Sequence, residues 1–127
     1  MAEQTILQEP VDIAAHFPES VNQDTRSGFH GWVVRTGDLV QFATTLRDEF
    51  GYDYLSSVTG VDNYPQDQME VIYHAYKTSG GPGVEFKVQV GREDPVVPSL
   101  VSLYPGAEFQ EREIWDLFGI RFEGHPD

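Results

Sequence analysis

The fold is decided by the stretch Val84-Glu-Phe-Lys-Val-Gln-Val90, in which apolar and polar side chains alternate. An alternation of period two places the apolar side chains on one face of a half-buried β-strand. Residues 69–76 also alternate, and residues 52–61 are rich in aromatic and β-branched side chains. Turn-forming residues separate these three segments. We therefore predict an antiparallel meander over residues 52–90.

The period changes to 3.6 on the N-terminal side of this meander. After a predicted strand at residues 30–35, apolar side chains recur at helical spacing, which predicts a helix over 38–50 that Gly51 ends. The predicted fold class is α+β, a two-layer domain in which this helix covers one face of a mixed four- to five-stranded sheet. The predicted core comprises Trp32, Val34, Leu39, Phe42, Leu46, Val58, Ile72, Tyr76, Phe86 and Val88.

The two ends of the chain carry shorter elements. Residues 1–28 are predicted to form an N-terminal extension with a short helix over 11–17, and 29–127 a single domain. Residues 91–98 are expected to be a connector, and Pro98 to begin a short helix that runs to Tyr104. Residues 107–118 are helical in pattern, and Gly119 is expected to end that helix.

The composition excludes several classes of function. The 127 residues contain no cysteine, so disulfides, zinc–thiolate sites and cysteine-ligated clusters are excluded. The 8 basic and 21 acidic residues give a net charge of −13, which repels nucleic acid and anionic lipid. No apolar stretch is long enough to span a membrane, and the N-terminus does not resemble a signal peptide. We therefore expect a chain that is made and kept in the cytoplasm.

The densest group of functional side chains lies between residues 111 and 127. Glu111, Glu113, Asp116 and His125 suggest a metal or acid/base cluster, but only one histidine is near and it follows a glycine break. A metal-dependent acidic hydrolase built on Glu111, Glu113 and His125 remains a minor alternative. The simplest interpretation is an amphipathic helix on which Arg112 and Asp116, four residues apart, form a surface ion pair.

The segment Glu111-Arg-Glu-Ile-Trp-Asp-Leu-Phe-Gly-Ile-Arg-Phe-Glu-Gly-His-Pro-Asp127 resembles the signature of the C subunit, the 30-kDa-type subunit, of respiratory complex I. This complex is the proton-translocating NADH:quinone oxidoreductase. Residues 55–62 and 98–107 resemble the family more weakly. The chain has Phe109 where family members usually have tryptophan, and the family generally continues past His-Pro-Asp with a basic run and a tail.

The resemblance implies a non-redox structural or assembly subunit of the hydrophilic arm. The whole complex transfers electrons from NADH through FMN and Fe–S centres to a quinone, but this subunit would bind none of these. Its expected partners are the quinone-site D subunit and the cluster-bearing B subunit, which would hold it peripherally on the cytoplasmic side of the cell membrane. The alternative is the equivalent subunit of a related membrane-bound hydrogenase or other-donor dehydrogenase complex.

No catalytic, cofactor-binding or metal-binding residue is predicted, and the signature itself is the candidate partner interface. Aromatic and arginine side chains are the usual anchors of such interfaces. We expect at least one of the apolar side chains at 115, 118, 120 and 122 to be partly exposed beside an arginine. The candidate interface residues are Glu111, Arg112, Glu113, Trp115, Asp116, Phe118, Gly119, Ile120, Arg121, Phe122, Gly124, His125, Pro126 and Asp127.

Overall fold

The computed structural model describes Phe17, the backbone of Val21–Gln23, and residues 31–126. The predicted helix over 11–17 therefore lies almost wholly outside the described residues, as does most of the predicted extension. The described strands are β1 (Val21–Gln23), β2 (Trp32–Val34), β3 (Tyr54–Asp62), β4 (Met69–Tyr76), β5 (Val84–Val90), β6 (Val96–Pro98) and β7 (Arg121–Glu123). The helices are α1 (Leu39–Asp48), which follows a 3-10 turn at Thr36–Asp38, and α2 (Ala107–Phe118).

The main sheet has five strands in the order β1-β2-β5-β4-β3. The predicted meander is confirmed, because β3, β4 and β5 pair antiparallel in sequence order. Strand β2 pairs parallel with β5, and β1 pairs antiparallel with β2, so the sheet is mixed. Parallel neighbours need a crossover connection, and between β2 and β5 this connection contains α1. The predicted α+β class is thereby confirmed.

Helix α1 covers one face of the sheet. Its side chains Leu39, Phe42, Ala43 and Leu46 are buried. The ring of Phe42 lies 5.2 Å from that of Phe86 on β5, which in turn stacks 5.0 Å from the ring of Tyr73 on β4. The helix ends two residues earlier than predicted, and Gly51 beyond it has a φ of +80°, a conformation that favours glycine.

The prediction of which side chains of β4 face the core is wrong. Ile72 is only half-buried and Tyr76 is 39% exposed, whereas Val71, Tyr73 and Ala75 are fully buried. Directly paired residues of an antiparallel ladder share a face, and Tyr73 pairs with both Val58 and Phe86. The alternation in β4 is therefore real, but the odd-numbered residues face the helices. Trp32 is also only half-buried and packs against the margin of the core.

The opposite face of the sheet carries polar side chains that pair across strands. Lys87 Nζ lies 2.8 Å from Glu70 Oε2, and both side chains are fully buried. Gln89 donates a 2.9 Å hydrogen bond to the same carboxylate oxygen. Beside this group, His74 contacts Ser57 Oγ at 3.0 Å and Glu85 Oε1 at 2.7 Å. The two faces of the sheet thus differ in chemistry: one is an apolar core, and the other combines the Glu70–Lys87 ion pair and cross-strand hydrogen bonds with apolar side chains such as Ile72.

The segment before α2 also differs from its prediction. Pro98 does not begin a helix but is the last residue of β6, so residues 91–98 include a strand as well as a connector. The chain then makes a single turn, in which Tyr104 N–H donates to Leu100 O at 2.8 Å. The Tyr104 hydroxyl donates to Tyr52 O at 2.6 Å. One C-terminal helix, α2, is therefore described where two were predicted.

Candidate functional site

Helix α2 is held to the sheet at two points of β3. Gln110 Oε1 accepts the backbone N–H of Val58 at 2.7 Å. Further along the helix, Phe118 lies over Gly60, where an added Cβ atom would come within 2.8 Å of the ring. Because no real Cβ tolerates that separation, glycine at position 60 permits the close approach of helix and strand. These contacts fix which face of α2 is turned away from the core.

Helix α2 leaves several large apolar side chains exposed on the sides that do not face the sheet. The helix buries Ala107, Glu111 and Ile114. Three large apolar side chains are exposed on the same helix: Phe109 is 69% exposed, Leu117 78% and Trp115 47%. Three such side chains on one short helix are more exposed apolar surface than a single scattered residue would give, so α2 is a candidate interaction site. The expectation that at least one of the signature's apolar side chains is partly exposed is confirmed by Trp115, while Ile120 and Phe122 are buried and Phe118 is half-buried.

Glu111 ties the start of the signature to the segment after β6. Its side chain is fully buried. One carboxylate oxygen accepts the Ser99 hydroxyl at 2.6 Å, and the other accepts the backbone N–H of Leu100 at 2.8 Å. Burial raises the pKa of Glu111, an effect that these two hydrogen bonds oppose. The residue therefore acts as a clamp between α2 and the β6 segment rather than as an exposed acid.

After α2 the chain reverses and returns beside β6. Gly119 ends the helix with a φ of +75°, as predicted. Strand β7 then pairs parallel with β6, and Arg121 N–H donates to Pro95 O at 3.0 Å. His125 closes the segment, because its Nε2 donates a 2.9 Å hydrogen bond to Glu108 O in the first turn of α2. A hydrogen bond therefore joins the two ends of the segment from Glu108 to His125.

A cleft of about 210 Å³ lies between α2 and β7, and we call it the α2–β7 cleft. Trp115 and Phe122 provide its aromatic walls. Arg112 is exposed, and Arg121, which is 54% exposed, contacts Asp94 Oδ1 through Nη2 at 2.5 Å. Trp115 lines the same cleft as the two arginines, which agrees with the expectation of an exposed apolar side chain beside an arginine. The lining residues are Glu111, Arg112, Trp115, Arg121, Phe122 and His125.

Of the fourteen predicted site residues, six line the cleft, and Glu113, Asp116, Gly119 and Gly124 are exposed outside it. Phe118 and Ile120 also lie outside the cleft, the first half-buried and the second buried. Pro126 is exposed as well, and Asp127 lies outside the described residues. The proposed pairing of Arg112 with Asp116 stays a prediction. Among residues 31–126, the acidic side chains and histidines form no group of three that is suited to a metal ion.

Two exposed apolar side chains of α2 were not predicted as part of its partner surface. Leu117 was not among the candidate interface residues and Phe109 was noted only as a departure from the family pattern, yet they are the most exposed apolar side chains of α2. A helical projection that puts Ile114 and Phe118 against the sheet would have placed both outside the buried stripe. Asp94, the partner of Arg121, had no signal because it lies 27 residues away in sequence.

Curated proteins resemble this chain over most of its length. The C subunit of NADH-quinone oxidoreductase from Moorella thermoacetica is 42% identical over 96 residues, which are 75% of this chain and 64% of that protein. The second C subunit of the same enzyme from Rhizobium meliloti is 37% identical over 109 residues, which are 84% of this chain and 59% of that protein. The chain therefore spans about three fifths of the length of these relatives.

Solved structures share the fold. A trypsin-resistant fragment of Nqo5 is 29% identical and superposes with a TM-score of 0.69, covering 100% of this chain and 99% of its own. A chain of the membrane-bound sulfane sulfur reductase, an archaeal respiratory membrane complex, has a TM-score of 0.77 over 93% of this chain and 71% of its own. Its 22% identity shows the fold alone.

No helix in the described part of the chain is long and apolar enough to cross a bilayer.

The family match covers the whole of the site. The family described as "Respiratory-chain NADH dehydrogenase, 30 Kd subunit" matches residues 32–127, which include every strand from β2 onward, both helices and the α2–β7 cleft. The chain belongs to this family of respiratory-complex subunits.

Proposed function

We propose that this chain is a non-redox structural and assembly subunit of the hydrophilic arm of a proton-translocating NADH:quinone oxidoreductase. Its neighbours in that arm are the quinone-site D subunit and the cluster-bearing B subunit. The chain is held peripherally on the cytoplasmic side of the membrane through these neighbours. Electron transfer from NADH through FMN and Fe–S centres to the quinone takes place in other subunits.

The observation that carries this proposal is the outward face of α2. Phe109, Trp115 and Leu117 are exposed on one helix, although the same helix is fastened to the sheet by Gln110 and Phe118. A helix anchored on one side that keeps large apolar side chains on the other is suited to bury them against a second protein. Its place within the family's matching region supports a partner surface in the complex.

The proposed absence of cofactors follows from the side chains available. Fe–S clusters are held mainly by cysteine thiolates, and the 127 residues include none. The carboxylate of Glu111 is engaged by Ser99 and Leu100, so it is not an open ligand. We therefore expect the purified chain to hold no stoichiometric iron, zinc or flavin and to oxidise no NADH.

The alternative, a subunit of a membrane-bound hydrogenase or another-donor dehydrogenase, has less support. The two curated relatives at 42% and 37% identity are NADH-quinone oxidoreductase subunits. The likeness to the sulfane sulfur reductase shows a shared fold at lower identity.

Deleting the gene for this chain in its own organism tests the proposal. We expect the deletion to abolish quinone-linked NADH oxidation in membranes and to remove the intact complex from native gels, and the wild-type gene to restore both. A membrane fraction that keeps the complex and its activity without the chain would contradict the assembly role. Bound flavin or iron in the purified chain would contradict the non-redox role.

A double variant tests whether assembly of the complex depends on the exposed apolar side chains of α2. Trp115→Ala with Leu117→Ala should prevent the restored gene from rebuilding the complex, while the purified variant keeps its cooperative unfolding. Tyr64→Ala is the matched control, since Tyr64 is an exposed aromatic side chain, 80% accessible, on the loop between β3 and β4. This control should rebuild the complex as the wild type does.

A further inference from the structure

We propose that the α2–β7 cleft receives an extended acidic segment of a neighbouring subunit, with an apolar side chain of that segment against Trp115 and its carboxylates at Arg112 and Arg121. This inference rests on the proposed function and names the chemistry of the partner. Four properties of the cleft carry it: its volume, its aromatic walls, its two arginines and the Phe122 N–H on the outer edge of β7, where the Phe122 carbonyl already accepts from His125 N–H.

The volume of the cleft excludes larger ligands. Pockets that enclose cofactors and other small organic molecules typically measure about 300–1,000 Å³. At about 210 Å³, the α2–β7 cleft is smaller than this range. It is suited to one large side chain with its flanking backbone, which is how a peptide segment is anchored in a protein surface.

The walls of the cleft favour an apolar anchor. Phe122 is 9% exposed and forms a fixed aromatic wall, whereas Trp115 remains 47% exposed. Burial of apolar surface stabilises association by roughly 25 cal/mol per Å² before the entropic costs of binding. An apolar side chain inserted beside Trp115 would remove this exposed indole surface from water.

The charges of the cleft favour a carboxylate partner. The chain has a net charge of −13 and six arginines, of which two line this one cleft. Asp94 contacts Nη2 of Arg121, and the guanidinium fork has further donors for a second carboxylate. The carboxylate of Glu111 in the lining is turned to Ser99 and Leu100 instead.

The backbone of β7 favours an extended partner. Arg121 donates its N–H to Pro95 O and Glu123 O accepts from Ser99 at 2.8 Å, so both residues face the β6 segment. Phe122 between them therefore directs its N–H to the other edge of the strand. An extended peptide that lies along this edge can accept that N–H, as in strand addition to the edge of a sheet.

The test uses the whole chain, labelled with ¹⁵N and titrated with the peptide acetyl-Asp-Phe-Glu-Asp-amide. We expect saturable shifts of the Trp115 indole N–H and the Phe122 amide, weakened by high salt. The uncharged analogue acetyl-Asn-Phe-Gln-Asn-amide should bind at least about tenfold more weakly, since charged hydrogen bonds are roughly twice as strong as neutral ones. No saturable shift at either position, or equal binding of the two peptides, would overturn the inference.

A double variant tests whether the two arginines account for binding of the acidic peptide. Arg112→Gln with Arg121→Gln should lower the affinity for the acidic peptide by about tenfold or more. Arg35→Gln is the matched control, because Arg35 is exposed and lies outside the cleft, and it should bind as the wild type does. Equal affinities for the double variant and the wild type would contradict the proposed arginine contacts.

Cross-linking in the assembled complex identifies the occupant. A photoreactive phenylalanine analogue at position 115 should capture a peptide rich in aspartate and glutamate from a neighbouring subunit. Capture of a basic segment, or of a second copy of this chain, would overturn the inference. If the complex assembles and the double variant assembles and cross-links unchanged, the cleft inference fails while the proposed function stands. If the chain proves absent from the complex but still binds the acidic peptide, only the proposed function fails.

Discussion

The two helices lie on the same face of the sheet but distribute their apolar side chains in opposite ways. Helix α1 buries Leu39, Phe42 and Leu46 almost completely, and its exposed side is polar apart from Val40. Helix α2 buries a carboxylate, Glu111, and exposes Phe109, Trp115 and Leu117. The difference indicates that α1 completes the domain's own core, whereas the exposed side chains of α2 are the ones that the proposed function assigns to a partner.

The same difference separates two kinds of sequence constraint. A side chain of α1 is restricted by the core that it fills, and its loss should affect folding. A side chain on the outer face of α2 is restricted by what binds there, and its loss should affect assembly and leave folding intact. Single substitutions on the two helices therefore distinguish the two constraints by which property changes.

Phe42→Ala should have the largest effect on folding. Phe42 is fully buried and its ring lies 5.2 Å from that of Phe86 and 5.7 Å from that of Phe17. Truncation of a buried phenylalanine typically lowers the free energy of unfolding by about 3–5 kcal/mol because it leaves a cavity. Urea denaturation measures the change. Val40→Ala, at a 40% exposed position of the same helix, is the control and should cost far less.

Glu111→Ala should have the next largest effect, although it lies on α2. The change leaves the buried N–H of Leu100 and the Ser99 hydroxyl without their acceptor, which costs about 1–3 kcal/mol in the free energy of unfolding. Glu113→Ala on the exposed side of the same helix is the control. Equal stabilities of the two variants in urea would show that Glu111 is not a clamp.

Glu111→Gln should change the pH dependence of stability. Burial raises the folded-state pKa of Glu111 above its ordinary value of 4.5. The folded state binds this proton more tightly than the unfolded state, and this stabilises the fold. The contribution is fully present at pH values below the ordinary pKa and is lost as the pH rises through the folded-state pKa. Glutamine does not titrate, so the variant should gain stability relative to the wild type between about pH 4 and pH 7. Urea denaturation of both proteins at the two pH values measures this, and a difference that is constant or reversed would contradict it.

Leu117→Ser should have the smallest effect on folding. Leu117 is 78% exposed, and surface substitutions usually change the free energy of unfolding by less than about 0.5 kcal/mol. Assembly of the complex, followed by native gel in a strain that lacks the wild-type gene, should nevertheless decrease. A variant that unfolds, or one that assembles at the wild-type level, would place Leu117 outside the proposed partner surface.

Elements with a long periodic pattern were predictable from sequence. The limits of α2 and the stop at Gly119 are as predicted, because twelve residues of helical spacing are followed by a residue suited to positive φ. The three-residue strands β6 and β7 were not predictable. They are too short to show a period, and each is stabilised by a parallel partner about 25 residues away in sequence.

The face of β4 was not predictable for a different reason. Met69, Val71, Tyr73 and Ala75 alternate with Glu70, Ile72, His74 and Tyr76, so both faces contain large apolar side chains. Period-two patterning assigns residues to two faces but does not say which face a helix will cover. The contacts of Tyr73 with Phe86, and of Phe86 with Phe42, decide it through residues distant in sequence.

The buried pair of Glu70 and Lys87 carries information about strand alignment that hydrophobic patterning lacks. A shift of β4 by two residues against β5 would keep every side chain on its face, so period-two patterning does not distinguish the two alignments. The same shift would move Glu70 away from Lys87, whose Nζ lies 2.8 Å from its carboxylate in a fully buried position. Separation of a buried ion pair typically costs about 3–5 kcal/mol. In an antiparallel meander, these two charges therefore distinguish the correct alignment from its nearest in-phase competitor.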